Sequence, residues 1–522
     1  MWFSSATLVA IVVVPGALAQ DVVQFQISKY LPTLRIGTKT PSLHRRDALT
    51  QALVNNITGG GYYVDVTVGT PPQKVSMVLD TGSSDAWVVS YKAPLCTNAK
   101  LQQVYGDSCS ATYNPSLSST YKLVKTAGFN ISYVDGVGAT GDFVSDDFNI
   151  ADKSIKSLQI GYATATVRGT GVLGVGFPAN EASLFPYPNI IDQLFSQNLI
   201  KSKAYSLWLN DRRSSTGSIL FGGVDTQKFF GPLHVLPIQP TDGNGTYSAL
   251  AVSMTSLNTT YSNGSVTATT VPSTPGVDAV LDSGTTLSYI PGDVAKPLFK
   301  QFGAVTDYRL TGLTYIDCKY LTTEPDLTIS FGFGLGNSSV SIVVPVQELV
   351  LDVLSNYDEI YTLKNLPFKN VCLFGIQTTD GLPTSALNID PNNSTSPELA
   401  ILGDTFLRSA YVVYDLDHKQ IGIAQANLNS TTANVQELAS TNNTTGLPTT
   451  LTGQPFPTKT AATKTGSPTG NSGGGGSTTS TGNAQPPSST SSGAGALLPS
   501  DSTSGLAIAA MFALLGGAFF VL

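Results

Sequence analysis

Charge is scarce in this chain. Of its 522 residues only 12% are Asp, Glu, Lys or Arg, about half the share in an average soluble protein. The balance is acidic, with a formal net charge of −7, which argues against a nucleic-acid partner and the basic surface it would favour. Only three histidines are present, and one of them, His44, lies in a candidate prosegment. With no G-x-S-x-G stretch and no paired nucleophile and base, a serine hydrolase is a poor reading. The four cysteines contain no C-x-x-C pair, so a zinc site is disfavoured. Helix formers are sparse and long amphipathic periodicity is missing. Gly, Ser, Thr and Val stand in their place, the composition of an extracellular β-rich protein with many turns.

The chain divides by composition. Residues 1–19 are apolar and end in Ala17-Leu18-Ala19, a small-x-small cleavage site; they read as a secretory signal although no Lys or Arg precedes the apolar run. Residues 20–46 read as a prosegment closed by the dibasic pair Arg45-Arg46, where a processing convertase is expected to cut. That segment holds Lys29, Arg35, Lys39, Arg45 and Arg46 against Asp21 alone. A cationic prosegment on a more acidic body implies electrostatic masking that weakens once carboxylates protonate.

Short alternating strands separated by turns such as Gly69-Thr70-Pro71-Pro72 run from Gly61 to about Asn427. The stretch from Ser256 to Val280 reads as an insertion-like loop. Residues 428–504 are rich in Thr, Ser, Gly, Pro and Asn, and are expected to form an unfolded, O-glycosylated stalk. Residues 505–522 are apolar and uncharged, and small residues around Gly493 precede them at a spacer's distance. This is the layout of a GPI-attachment signal, with Gly493 as the candidate site. No basic residues follow the tail to hold a retained membrane helix. Sequons at Asn56, Asn130, Asn244, Asn258, Asn263, Asn337, Asn393 and Asn429 fit a secreted glycoprotein. Local spacing favours disulfides Cys96–Cys109 and Cys318–Cys372, although four cysteines allow three pairings.

One pattern occurs twice. "VSMVLDTGSSDAW", Val75 to Trp87, is echoed by "VDAVLDSGTTLSY", Val277 to Tyr289. Each is followed by an apolar-apolar-Gly strand, Val172-Leu173-Gly174 in the first half and Ile401-Leu402-Gly403 in the second. Two β lobes of this kind, residues 47–240 and 241–427, would bring Asp80 and Asp282 face to face. Facing carboxylates in a dry cleft cannot both ionise cheaply and share one proton over an acid range. The ionised member can then draw a proton from water while the other donates to a peptide carbonyl. Gly82 and Gly284 let the loops pack closely, Thr81 and Ser283 can tie them together, and Ser83 and Thr285 can bond the outer carboxylate oxygens. This chemistry needs no metal, cofactor or covalent intermediate.

On these motifs the chain resembles the pepsin-family aspartic endopeptidases over about Gly61 to Asn427. The resemblance implies an all-β, bilobal fold with the cleft between pseudo-twofold-related lobes, peptide substrates and a monomer. It also implies that "NISYVDGVGATGDF" is the flap closing over substrate, with Tyr133 bonded to Trp87. Here Val134 replaces the glycine usual after that tyrosine. The prosegment, the Cys96–Cys109 loop, the stalk and the tail most resemble fungal yapsin-like and candidapepsin-like proteases. Yapsins cut after Lys or Arg, and Asp135 is the candidate contact for such a side chain. The competing class is a catalytically silent surface scaffold or adhesin, which would have no need for both aspartates and their hydroxyl partners.

Overall fold

The computed structural model describes residues 22–29, 61–105, 107–109, 111–134, 136–214, 216–242, 244–272, 276–308, 311–324, 326–336, 339–352, 366–382, 399–438 and 446–457. The expected signal, Arg45-Arg46, Asn56, Asp135, Asn337, Asn393, Gly493 and the apolar tail lie outside them.

In chain order the strands begin with β1 (Val23–Lys29), β2 (Tyr62–Val68), β3 (Gln73–Asp80), β4 (Ala86–Val89), β5 (Lys122–Ser132), β6 (Gly138–Ile150), β7 (Lys153–Thr166) and β8 (Gly171–Gly174). Five more lead into the second half: β9 (Ala204–Trp208), β10 (Thr216–Phe221), β11 (Gly223–Asp225), β12 (Phe229–Pro237) and β13 (Ala251–Thr260). There follow β14 (Val266–Thr269), β15 (Val277–Leu281), β16 (Ser288–Ile290), β17 (Val305–Thr306), β18 (Thr314–Asp317), β19 (Thr328–Phe333) and β20 (Val340–Pro345). The last are β21 (Val350–Leu351), β22 (Val371–Phe374), β23 (Ile376–Thr378), β24 (Leu399–Leu402), β25 (Ala410–Asp415), β26 (Gln420–Ala426) and β27 (Val435–Glu437). The described helices are short; Gly292–Phe302 is the longest.

The architecture is all-β and two-lobed, as the motifs imply. A 13-stranded sheet runs β12-β26-β25-β9-β10-β1-β2-β3-β8-β4-β7-β6-β5, folding back where β2 also pairs β6. An eight-stranded sheet, β20-β19-β13-β15-β24-β16-β23 with β14 on β13, carries the second half. The segment expected as a loop before the second motif is largely a hairpin, with Leu257 opposite Thr269 and Thr260 opposite Val266. Alternation explains β2, whose buried and less buried residues take turns. The runs of β8 and of β15, which is apolar but for Asp278, have another cause. They lie in parallel pairs, β3 with β8 and β15 with β24, covered on both faces.

Two segments behave differently from expectation. β1, within the candidate prosegment, is an inner strand between β10 and β2, with Val23 and Ile27 fully buried. The first lobe is thus joined to the strands under both lobes through a piece of the prosegment. Nor does the chain become a stalk at residue 428. Residues 428–438 and 446–457 strap the outside of the fold. β27 pairs β11, Leu233 and Gly231 donate to the carbonyls of Leu451 and Gln454 at 2.9 Å each, and Phe456 stacks on Phe230 with ring centroids 5.7 Å apart. Leu438, Leu447 and Leu451 are buried beside Trp208, Phe229 and Tyr411. The polar average composition of the strap hides these few apolar anchors.

Candidate active site

β3 and β15 end at matching points, each delivering its aspartate into a loop at the base of the cleft. Asp80 and Asp282 are fully buried, close enough that each charge acts on the other. The Gly82 amide donates to Asp80 Oδ1 and the Gly284 amide to Asp282 Oδ1, each at 2.8 Å. The Ser83 and Thr285 hydroxyls donate to the outer oxygens of the same two carboxyls.

The loops are locked to each other by a reciprocal exchange. Thr81 Oγ1 donates to the Leu281 carbonyl at 2.7 Å and Ser283 Oγ to the Leu79 carbonyl at 2.9 Å. In return the Ser283 amide donates to Thr81 Oγ1 at 2.9 Å, and the Thr81 amide to Ser283 Oγ at 3.2 Å. All these groups are out of water, so the bonds are not contested by solvent and the geometry is stiff. Tyr414, from β25 beneath both lobes, adds a bond from its hydroxyl to the Leu281 carbonyl at 3.2 Å and stacks on Tyr205 at 4.9 Å.

The glycines of the two partner strands have a steric reason. A Cβ on Gly174 would stand 2.7 Å from the backbone of Ser84 and Asp85, and one on Gly403 would run into the carbonyls of Thr285 and Leu287. An apolar-apolar-Gly strand is therefore the shape complement of an Asp loop.

Electrostatics follow from this burial. Removal from water raises Asp80 well above the ordinary carboxylate range, and the charge of Asp282 adds to the rise. Burial also raises Asp282, against the pull of the Thr285 hydroxyl and the Gly284 amide. One proton is therefore held between the pair where two exposed carboxyls would have lost both.

The segment expected to be the flap is the β5–β6 hairpin. Its tip is closed by a bond from the Tyr133 amide to the Val137 carbonyl at 2.8 Å and one from the Gly136 amide to the Tyr133 carbonyl at 2.9 Å. Gly136 has φ of +76°, which a side chain would strain. Trp87 Nε1 donates to Tyr133 Oη at 2.7 Å, the contact implied by the resemblance. Burial, with the Asp80 charge behind it, holds the Tyr133 phenol well above its usual pKa, so it stays neutral. Asp135 lies outside the described residues.

Sequence reading missed a second acidic group behind the first loop. Asp85 is buried and accepts from the Ala182 amide and the Tyr187 hydroxyl at 2.7 Å each. Burial pushes it up to about 6. Glu181 beside it is pushed up to about 9, again chiefly by burial, and takes the Tyr187 amide at 2.6 Å. The available signal was an aspartate between Ser84 and Ala86 in an otherwise buried run, a residue that must find donors.

Cys96–Cys109 and Cys318–Cys372 form the two disulfides, one per half. Asn130, Asn244, Asn263 and Asn429 are exposed, while Asn258 is partly covered on β13. Among the described residues no helix is long and apolar enough to cross a membrane.

Comparison with known proteins agrees with this geometry. The profile of the eukaryotic aspartyl protease family matches residues 61–426. A probable aspartic-type endopeptidase opsB of Aspergillus fumigatus is 38% identical over 394 residues, covering 72% of this chain and 71% of the relative. A probable aspartic-type endopeptidase OPSB of Arthroderma benhamiae is 37% identical over 454 residues, 84% of this chain and 83% of the relative. The secreted aspartic protease 6 of Candida albicans is 35% identical over 373 residues, 71% of this chain and 77% of the relative.

Proposed function

The chain belongs to the eukaryotic aspartyl protease family and is an aspartic-type endopeptidase; from that premise we propose where its chemistry resides and where it acts. Asp80 and Asp282 are the catalytic pair. The ionised carboxyl takes a proton from a water between them, and the water oxygen attacks the peptide carbonyl carbon. The protonated partner donates to the carbonyl oxygen, giving a tetrahedral diol. The carboxyl that took the water's proton then gives it to the amide nitrogen while the other takes one from a diol hydroxyl, so the C–N bond breaks, the carboxyl product and amine leave, and the pair again holds one proton. The observation that supports this most is the reciprocal Thr81–Ser283 lock, which ties together the two loops that carry the buried carboxyls.

The test is cleavage of a quenched peptide library between about pH 3 and pH 7, with Asp80→Asn and a pepstatin-type inhibitor as controls. Acid activity that either control abolishes supports the assignment. A correctly processed protein that cuts nothing would return the silent scaffold. The same digest tests residue preference. Cleavage after Lys or Arg rests on Asp135, whereas Arg168 stands within electrostatic reach of Tyr133 and opposes it. Cuts after Phe or Leu alone would remove the basic preference.

We further propose secretion through the 1–19 signal, glycosylation at the sequons, and surface attachment through a GPI lipid at Gly493. The name of the Candida relative, a secreted protease, supports the first. Release of the protein from cells by a phosphatidylinositol-specific phospholipase tests the last. Cleavage by a convertase at Arg45-Arg46 would cut behind β1, a buried strand, so β1 must stay as a bound fragment or yield its place to residues after the cut. N-terminal sequencing of the mature monomer, with a search for a retained 20–46 peptide, separates these outcomes.

A further inference from the structure

The flap carries a side chain where its resemblance to the family predicts none, and that side chain has a place to go. Val134 is 4% exposed. It belongs to one apolar cluster whose other buried members all come from the second half, among them Val280, Leu287, Tyr289, Leu313 and Ile401. Val280 and Leu287 bracket the Asp282 loop, and Ile401 lies on β24 two residues before Gly403. A residue of the first lobe is thus buried among side chains of the second.

The rest of the tip makes this contact rigid. Tyr133 is tied to Trp87, and two backbone bonds close the turn around Gly136. A Cβ at Gly136 would meet nothing within 4 Å, whereas Tyr133 is packed in a first-half cluster with Trp87 and Val134 in the second-half one, so Val134 is the tip residue that reaches the other lobe. Taking a valine side chain out of water favours the closed hairpin. A peptide must then enter through the fraction of molecules in which the hairpin is open, and apparent affinity falls by that fraction.

We propose that Val134 is a latch: it holds the flap shut against the second lobe, and substrate binds by withdrawing it and filling the vacated place with an aliphatic side chain of its own. This rests on the endopeptidase reading for its consequence but not for its geometry. Val134 is a positioning residue; it touches no reacting atom.

The test compares the processed wild-type protein with Val134→Ala and Val134→Ile. The first readout is amide hydrogen exchange across Ser132–Gly138 without ligand. The second is the association rate of a pepstatin-type inhibitor at fixed pH, and the third is the split between kcat and KM. In Val134→Ala, exchange and association are expected to rise about tenfold while kcat stays within about twofold, and Val134→Ile is expected to match wild type. Unchanged flap exchange in Val134→Ala would overturn the latch, and so would a fall in kcat matching any change in association. If exchange responds as expected but the inhibitor binds neither protein and no peptide is cut, the latch stands and the endopeptidase assignment of this cleft fails instead.

Discussion

The loops at Asp80 and Asp282 are close copies for four residues and then part company. Five residues after the aspartate the first has Asp85 and the second Leu287, both fully buried. Asp85 is wired into its lobe by Ala182 and Tyr187, while Leu287 sits in the apolar cluster that receives Val134. Seven residues on, Trp87 holds the flap tyrosine where the second loop has Tyr289, a member of that same cluster. The pseudo-symmetry extends only as far as the groups that touch the shared proton. Behind them, one loop is polar and carries the moving part, and the other is apolar and is its landing place.

The largest effect should show where the copies are equal. Asp80→Asn and Asp282→Asn are each expected to lower kcat/KM by about 10³-fold or more, since neither carboxyl can serve as both acid and base; a variant with substantial residual activity would break the equivalence. Next come the two partner glycines. Gly403→Ala and Gly174→Ala force a methyl into the opposite loop and should destabilise by roughly 1–3 kcal/mol or more. Gly403→Ala is the worse of the two because its obstacles are backbone carbonyls on both sides. Thermal or denaturant melts decide the order.

The polar backing gives a pH signature. Asp85 is raised from 3.8 to about 6 in the folded protein. Below pH 3.8 both folded and unfolded states hold the proton, so its contribution to stability is complete there. It is lost as pH rises towards 6, because only the unfolded state has released the proton. Asp80, Asp282 and Glu181 are shifted in the same direction. Wild type should therefore melt highest in acid and lose stability towards neutrality, and Asp85→Asn should flatten part of that slope. A wild-type melting point that rises from pH 4 to pH 7 would contradict the sign.

Smaller effects sharpen the contrast. Trp87→Phe removes the bond to Tyr133, about 0.5–1.5 kcal/mol, so kcat/KM should fall about three- to tenfold. Least of all should come from exchanging the reciprocal hydroxyls, Thr81→Ser with Ser283→Thr. Both donors survive, and activity is expected within about threefold of wild type. A large loss there would mean that methyl packing, rather than the hydroxyl exchange, holds the loops.

What was legible in the sequence was local. An aspartate after an apolar run, a hydroxyl and glycine after it, and the later apolar-apolar-Gly strand are short words with a shared steric purpose, and the cysteine spacing was equally compact. The Asp85–Tyr187 contact joins residues 102 apart, and nothing near Tyr187 advertises it. The buried pair of Arg408 with Glu348, at 2.6 Å, likewise links a turn after β24 to one before β21. Its charges look like solvated ones until the fold is known. The strap defeated a compositional reading for the opposite reason. Between Leu428 and Pro457 a few well-placed apolar residues settle the matter, and the average over the segment conceals them.

That strap also sets a path for force. Whatever pulls on the chain beyond Pro457 must first load Phe456 on Phe230, then the bridges of Gln454 and Thr452 to Phe230 and Pro232 on β12. Those contacts lie at the outer edge of the long sheet, with β26 between them and Tyr414 on β25, and Tyr205 one strand further on β9. Tension would be spent peeling the strap from that edge before it reached the loops of Asp80 and Asp282. Were the protein held from its C-terminal side, as proposed, it could be pulled there and keep its two aspartate loops in register.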